Sequence, residues 1–310
     1  MPLFLYNFNH HNEFNLNLGF VKAAYAKDRV RANLALAAGT YVNANYSAEP
    51  ATVKHVLEAN VGYRLAKKKE WWLDVGIMPS HIGFESAVGK DNWTLSRSMV
   101  AENSPYFESG AKLSYTSGNG KIMVAGLLLN GWQRITRVPG NSLISYGTQV
   151  LYKPSEKWTF NYSTFTGTDK PDTARLWRYY HNVYGIVQIN KEFALVAGFD
   201  IGMEQKTPNA GGHHTWYSPV GILRYTPTAQ WAFAVRGEYY DDRKGVIIDT
   251  GTPQGFQTAG WSLNIDFIAQ SNVVFRLEGR RLRSRDAIFV KDNQLKRVNT
   301  AISFSTAISF

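Results

Sequence analysis

Residues 55–77, "HVLEANVGYRLAKKKEWWLDVGI", contain two segments of alternating polarity on either side of a short basic turn. Apolar and polar residues alternate over 57–64, and in the second segment Leu73 and Val75 flank Asp74. A period of two is that of a β-strand whose two faces meet different surroundings. The stretch therefore predicts an antiparallel hairpin with one apolar face and one polar face.

The same pattern continues through the chain. Short polar turns begin near residues 27, 66, 117, 153, 190, 226 and 269. The connections at the other ends of the strands are long and polar, at residues 43–54, 79–105, 133–143, 167–177, 205–215, 241–256 and 282–296. Short turns at one end of the strands and long loops at the other are typical of an outer-membrane β-barrel.

The composition agrees with such a barrel. The 310 residues include no cysteine, which excludes thiol chemistry, and the mean hydropathy of -0.28 comes with no apolar run long enough for a transmembrane helix. A barrel strand crosses the bilayer in about ten residues and shows lipid every second side chain, so such a chain stays hydrophilic on average. Trp71, Trp158 and Trp231 follow short turns, where an interfacial aromatic girdle is expected.

We therefore expect an all-β fold, a transmembrane antiparallel β-barrel of about 16 strands that forms a single domain over residues 1–310. A large soluble all-β protein, such as a sandwich or propeller, is the alternative, since a half-buried strand in a sandwich also alternates. Propeller blade signatures and a sandwich core are not found in the sequence.

Six stretches carry a family resemblance. They are "HNEFNLNLGF" at 11–20, "GIMPSHIGFESAVGKDNWTLSRSMVAENSPYFESGAKLSY" at 76–115, "LLLNGWQRI" at 127–135, "FTGTDKPDTARLWRYYHNVYG" at 165–185, "RGEYYDDRKGVIIDTGTPQGF" at 236–256 and "RLEGRRL" at 276–282. Together they resemble the OmpL-like β-barrel porins of Bacteroidetes-type outer membranes. The resemblance implies a bacterial outer-membrane pore for small polar solutes and brings no catalytic residues.

The two ends of the chain carry further expectations. Family members have a secretion signal and a further aromatic strand before the segment at 11–20, whereas here "MPLFLYNFN" precedes it without a signal peptide. Residues 3–9 are expected to be the remnant of a first strand whose larger part, with the signal peptide, is missing, which leaves about 15 full strands. The alternating end "NTAISFSTAISF" predicts a closing strand, and Phe310 resembles the C-terminal signal recognised by the barrel-assembly machinery.

Strand parity also predicts which residues line the lumen, because the polar face of each strand must point inward if the apolar face meets lipid. On the third to fifth strands these are Glu58, Arg64, Asp74, Glu108 and Lys112. On the eleventh to fourteenth strands they are Arg224, Arg236, Glu238, Asp266, Arg276, Glu278 and Arg280. Two arrangements are open: a transverse field between opposite walls, or local ion pairs within each wall.

The longest connection, residues 79–105, is the candidate constriction. Its charged candidates are Glu85, Asp91, Arg97 and Glu102. A loop of this length is usually functional or disordered, and it could fold into the lumen or form a cap on the rim.

The leading hypothesis is thus a porin, a water-filled channel for passive diffusion of small hydrophilic solutes that needs no cofactor and no metal. Its formal charge of +10 permits a weak anion preference. The expected partners are outer-membrane lipid, the assembly machinery and small polar solutes, and no nucleic acid; the oligomeric state is open. The alternatives are a plugged structural or adhesion barrel and a phospholipase-like barrel enzyme, although Ser80 and His81, as neighbours, should point to opposite sides.

Overall fold

The computed structural model describes residues 2, 4–208 and 211–310. Its helices are short: α1 is Thr40–Asn45 and α2 is Met99–Glu102, with single 3-10 turns at Gly89–Asp91 and Asp172–Ala174. The strands are β1 Gly19–Lys27, β2 Val30–Ala38, β3 Val56–Arg64, β4 Glu70–Pro79, β5 Phe107–Thr116, β6 Ile122–Leu129, β7 Ser145–Ser155, β8 Trp158–Gly167, β9 Arg178–Gln188, β10 Phe193–Gln205, β11 His213–Tyr225, β12 Trp231–Asp242, β13 Phe256–Gln270, β14 Val273–Ser284, β15 Phe289–Lys291, β16 Gln294–Lys296 and β17 Val298–Ile308. Within the described part of the chain, no helix is both long enough and apolar enough to span a bilayer.

Over residues 4–208 and 211–310, fifteen strands form one antiparallel sheet in which each strand pairs with the strand before or after it in the sheet order. The order runs from β1 to β14 and then to β17, while β15 and β16 form a small separate hairpin within the last loop. Consecutive pairing through short turns is the up-and-down topology of a membrane barrel. The prediction of an all-β antiparallel barrel fold with about 15 full strands is confirmed.

The two faces of the sheet follow the alternation of the sequence. On neighbouring strands Val235 lies opposite Leu263, and both are about half exposed, at 50% and 53%. One position further along, Arg236 lies opposite Ser262, and both are 0% exposed. An outer surface of exposed Leu, Val, Ile and aromatic side chains around a polar, buried inner face suits lipid outside and polar groups inside.

The N-terminal segment differs from the expected remnant strand. Among its described residues, 4–12 contain no strand; the Leu5 N–H donates to the Pro2 carbonyl at 3.2 Å and closes a turn. Phe4 and Leu5 are buried, and the Phe4 ring contacts the edge of Phe256 with 4.6 Å between centroids. Adjacent apolar residues cannot both face lipid from one strand, so they fold into the loop-side interior instead. The remnant-strand prediction is wrong for these residues, and Leu3 lies outside the described residues.

The outer face makes a direct prediction about stability. Leu34 lies in the middle of β2, is 50% exposed and pairs with Ala23 and Ala59 on the same face. Leu34→Arg should lower the free energy of unfolding by about 2 to 4 kcal/mol, because it places a charge near the bilayer midplane. Reversible urea unfolding in lipid vesicles measures the difference. The matched control is Asn33→Arg, one residue away on the inner face, and an equal cost for both variants would contradict the assignment of the faces.

Candidate functional site

Residues 80–106, the connection between β4 and β5, enter the interior of the barrel; we call them the inward loop. Its first part contacts the inner faces of β5, β8 and β9. The His81 ring bonds the Glu108 carboxylate at 2.7 Å and the Thr164 carbonyl at 2.8 Å. The Gly83 N–H then donates to Asn182 Oδ1 at 3.1 Å. The loop therefore descends along one side of the lumen instead of forming a cap on the rim.

The tip of the inward loop lies deep in the barrel. The Arg276 guanidinium donates to the Gly89 carbonyl and, at 2.8 Å, to the Asn92 carbonyl. Arg276 is close to the short turn that precedes β14, and Trp93 lies 6.0 Å from the guanidinium of Arg224, next to the short turn that follows β11. The loop thus reaches the turn-side half of the lumen before it returns.

On its return the inward loop is held by backbone hydrogen bonds to wall side chains. The Leu95 N–H donates to Asn264 Oδ1 at 2.9 Å, and the N–H of Ser96 donates to Glu278 at 2.6 Å. The Met99 N–H donates to Glu238 at 2.6 Å. These carboxylates and this amide belong to β12, β13 and β14, so one wall of the barrel supplies acceptors for the loop backbone.

Arginines of the same wall complete the attachment. Arg236 donates to Thr94 Oγ1 at 2.9 Å, to the Ser96 carbonyl at 2.7 Å and to Glu278 at 3.0 Å. Arg280 pairs with Glu238 at 2.8 Å. Like Arg236, both partners are buried. Each charge that the loop covers therefore has an opposite charge or a hydrogen-bond partner, as a buried ion requires.

Inside the loop a second ionic cluster joins it to the N-terminal segment. The guanidinium of Arg97 lies between the rings of Tyr41 and Tyr106, at 4.8 and 3.5 Å from their centroids. Its Nε donates to Glu102 at 3.0 Å, and the same carboxylate accepts the Tyr6 N–H at 2.6 Å. Burial opposes the charge of Arg97, but Glu102, together with Tyr106 and Tyr41, outweighs burial and raises the pKa of the guanidinium. Arg97 therefore stays charged and fixes the shape of the loop.

The structure separates the four charged candidates of this loop. Arg97 and Glu102 are buried, at 0% and 3% exposed, so the expectation that they face solutes at a constriction is wrong for the described loop. Asp91 is exposed beside Lys90. Glu85 is partly buried and accepts the Ser98 N–H at 3.1 Å; burial of the carboxylate raises its pKa. Ser98 is also the N-cap of α2, so its hydrogen bond to Glu85 helps to hold the start of this helix within the loop.

All twelve lumen candidates share the parity of the buried residues on their strands but differ in exposure, and their position beside a solute path stays a prediction. Those buried at 9% or less are Glu58, Asp74, Glu108, Arg236, Glu238, Asp266, Arg276, Glu278 and Arg280. Those that stay partly exposed are Arg64, Lys112 and Arg224. The inward loop covers the wall of β12–β14, so the remaining accessible charges lie mostly on β3–β5.

Between the strands that the structure describes, inner-face ion pairs join neighbouring strands or strands two apart and none crosses the lumen. Arg276 bonds Asp266 at 2.8 Å on the neighbouring strand, and Arg31 bonds Asp74 at 2.7 Å from two strands away. Gly62 lies between the latter two in register, and a Cβ there would meet the Asp74 carboxylate at 2.2 Å. A glycine is therefore needed for this ion pair to cross β3.

Several inner-face cations were missed by the sequence argument, among them Lys22, Arg31 and Arg178. Lys22 bonds Glu58 at 2.6 Å, and Arg31 packs over the Trp72 ring at 4.2 Å as well as pairing with Asp74. The parity rule would have found Arg31, since it alternates with the outward Ala32 and Leu34. Lys22 was harder to find because small alanines on both faces weaken the alternation of β1.

The attachment of the loop gives a stability prediction. Arg236→Met should lower the free energy of unfolding by about 3 to 5 kcal/mol, because it leaves Glu278 buried without its cation. Adding Glu278→Leu should recover part of that loss in urea titrations, since no unpaired charge then remains. Lys157→Met, at an exposed turn, is the control and should cost little. A full loss that persists in the double variant would contradict this account.

His81 gives a pH prediction. Burial lowers its pKa, but the charge and hydrogen bond of Glu108 and the Thr164 carbonyl outweigh burial, so the folded pKa is raised above 6.5. Both of its partners are acceptors, which suits a doubly protonated ring. A raised folded pKa means that the stabilisation is complete below about pH 6.5 and is lost as pH rises through the folded value.

Hydrogen exchange in the inward loop should therefore be faster at pH 9 than at pH 6 once the intrinsic pH dependence of exchange is removed. His81→Gln serves as the control that lacks the titrating group and should show no such corrected difference. Equal protection of residues 80–106 in the wild-type protein at both pH values would show that His81 does not anchor the loop.

Comparisons with known proteins agree with this architecture. The sequence model of the family described as "Putative beta-barrel porin-2, OmpL-like" matches residues 2–310. The fold is similar to that of an anion-selective porin from Comamonas acidovorans, at 10% identity and TM-score 0.58, over 94% of this chain and 85% of that one. It is also similar to in-vitro folded OmpT, an outer membrane protein of Vibrio cholerae, at 10% identity and TM-score 0.56, over 94% and 88%.

These identities carry the fold alone, and a comparison with curated protein sequences gives no significant match. The family match confirms the resemblance found in the sequence. Since it extends over nearly the whole chain, the protein belongs to the OmpL-like β-barrel porins of the bacterial outer membrane.

Proposed function

We propose that small hydrophilic solutes diffuse through the space between the inward loop and the wall formed by β17 and β1–β5. The observation that carries this proposal is the difference in exposure between the two sides of the lumen. The six charged candidates on β12–β14 are all buried, whereas on β3–β5 Glu58, Asp74 and Glu108 are buried but Arg64 and Lys112 stay partly exposed. A partly exposed polar inner face is what a water-filled passage needs.

On the last strand, small side chains line part of this passage. The inward residues of β17 and its end are small and partly exposed: Ala301, Ser303, Ser305, Ala307 and Ser309. Small hydroxyl and methyl groups take up less of the lumen than larger side chains would. The exposed loop residues Lys90 and Asp91 lie near the tip, where they are the charges most accessible to a passing solute.

Charge on this wall favours a weak preference for anions. Lys22, Arg31 and Arg64 pair with Glu58, Asp74 and Glu70, respectively. Lys112, among the described residues, forms no ion pair within 4 Å, so its charge is not neutralised by a direct partner. Selectivity depends on the local charge beside the path, and one extra cation is consistent with a small effect.

The site does not support the alternative of a serine hydrolase. Ser80 Oγ donates to Glu108 at 3.0 Å, and His81 meets the same carboxylate oxygen, so the two neighbours converge there although the sequence predicted opposite directions. The other ring nitrogen of His81 faces the Thr164 carbonyl. A serine nucleophile needs a ring nitrogen as its base, and neither nitrogen contacts Ser80. This arrangement supports a channel without enzymatic activity.

A plugged barrel is the second candidate, because aromatic rings fill part of the loop-side interior. Trp132 packs edge-on against Phe165 and Tyr180, at 5.0 and 4.7 Å between centroids. Arg178 lies over the Trp132 ring and pairs with Glu204 at 2.6 Å. This packing narrows the entrance of the lumen at the long-loop end. A conductance measurement distinguishes a narrowed channel from a plugged barrel.

Planar-bilayer recording of refolded protein tests the channel. We expect steady ohmic openings and, in a salt gradient, a reversal potential that indicates a weak preference for anions. Lys112→Glu should shift that potential toward cations, because it changes the charge beside the path by two units. Lys157→Glu makes the same change at an exposed turn and should leave the potential unaltered. Silent bilayers with correctly folded protein would count against the pore and favour the plugged barrel.

We also propose that Phe310 takes part in assembly. It follows β17, shares the outward parity of Phe304 and Ile308, and is fully exposed. An exposed aromatic at the end of an alternating strand is accessible to the assembly machinery. Lipid is then the partner of the remaining outer face.

A further inference from the structure

Two arginines interrupt the apolar outer face of β14. Along this strand Phe275 and Leu277 point outward, at 38% and 43% exposed, and Leu282, of the opposite parity, is 1% exposed. Arg281 and Arg283 share the outward parity and are exposed. The outer face of β14 therefore changes from apolar to cationic toward its loop end.

The register places this change next to an interfacial aromatic. Arg281 lies opposite Trp261 on β13 and Thr300 on β17, and Trp261 is 52% exposed on the outer face. Tryptophan favours the boundary between hydrocarbon and headgroups. Arg283, two residues further along, lies beyond that boundary in the headgroup region.

The geometry of β14 also places Arg281 near the boundary between hydrocarbon and headgroups. Arg281 follows Val273, the first residue of β14 after its short turn, by eight positions. With a rise of about 3.3 Å per residue and a tilt of about 40°, this distance corresponds to about 20 Å along the membrane normal. The apolar band of such barrels is about 25 Å tall, so Arg281 lies near its outer edge. Since the short turns face the periplasm, this edge belongs to the outer leaflet.

Arg281 and Arg283 have no counter-ion in the part of the chain that the structure describes. Among the described residues, neither Arg281 nor Arg283 forms an ion pair within 4 Å, whereas the inner-face arginines of the same strand, Arg276 and Arg280, each pair with a carboxylate. Like charges held together at a membrane edge favour an external anion.

We propose that Arg281 and Arg283 bind the phosphate groups of a phosphorylated glycolipid in the outer leaflet. A guanidinium matches a phosphate through two parallel N–H···O bonds, which an ammonium cannot supply. The aliphatic part of Arg281 lies along the hydrocarbon edge while its charged end reaches the headgroups. Trp261 packs against the sugar or upper acyl region beside it. This inference rests on the outer-membrane location and is independent of conduction through the lumen.

Native mass spectrometry of the detergent-solubilised protein with diphosphorylated lipid A tests the proposal. The wild-type protein should hold the lipid, and the double variant Arg281→Ser/Arg283→Ser should bind it at least tenfold more weakly. Lys67→Ser/Lys68→Ser removes the same charge from an exposed turn at the opposite rim and should bind as the wild type does. Single-channel conductance should stay unchanged in both variants, because neither pair lines the lumen.

Two further arms identify the ligand. Enzymatically dephosphorylated lipid A should bind the wild-type protein as weakly as phosphorylated lipid binds the double variant, and inorganic phosphate at millimolar concentration should not displace the lipid. Equal binding of the dephosphorylated lipid, equal binding by the double variant, or complete displacement by inorganic phosphate would each overturn the proposal. If the double variant does not refold, Arg283→Ser alone, in the headgroup region, should weaken binding by a smaller factor, and no change would again overturn it.

Discussion

The architecture depends on the pairing of buried charges between the inward loop and the wall of β12–β14. A charge that leaves water costs several kcal/mol unless it meets an opposite charge or hydrogen-bond partners. Arg236 and Glu278 satisfy each other and also bond Ser96 of the loop, so the wall and the loop are complete only together. The loop backbone gains the partners that any polar group inside a barrel requires.

This attachment makes the lumen asymmetric. Beneath the inward loop, the charged side chains of the wall hold the loop in place. Arg276, for example, donates hydrogen bonds to two carbonyl groups at the loop tip. On the side of β1–β5 the ion pairs stay partly in water, and Lys112 keeps a charge without a direct partner. Total charge is therefore a poor guide to permeation, because many of the inner-face arginines are neutralised under the loop. Permeation depends instead on the local charge beside the space that the loop leaves open.

The features that could be predicted from the sequence are those that depend on the alternation of apolar and polar residues. The strands, the inward parity of residues such as Arg236 and the short-turn and long-loop ends all follow from a period of two. The position of residues 80–106 does not follow, because it depends on bonds from backbone N–H and carbonyl groups to distant side chains, and backbone groups are the same in every sequence. Arg97 was placed at the constriction for its charge, but two tyrosine rings and Glu102 enclose it. Phe4 and Leu5 likewise fold inward for lack of alternation.

Strand β14 shows how strongly parity fixes the function of a residue type. Arg276 and Arg280 point inward, where Arg276 bonds loop carbonyl groups and Arg280 pairs with Glu238, which accepts a loop N–H, whereas Arg281 and Arg283 point outward at the membrane edge. A register slip of one residue would exchange the two faces. It would place Arg276 and Arg280 in the apolar band, at a cost of about 2 to 4 kcal/mol for an arginine at the midplane, and would move Leu277 into the lumen. The same arginines that hold the inward loop therefore also disfavour the wrong register of the closing strands. The register of the wall and the position of the loop are thus fixed by the same side chains.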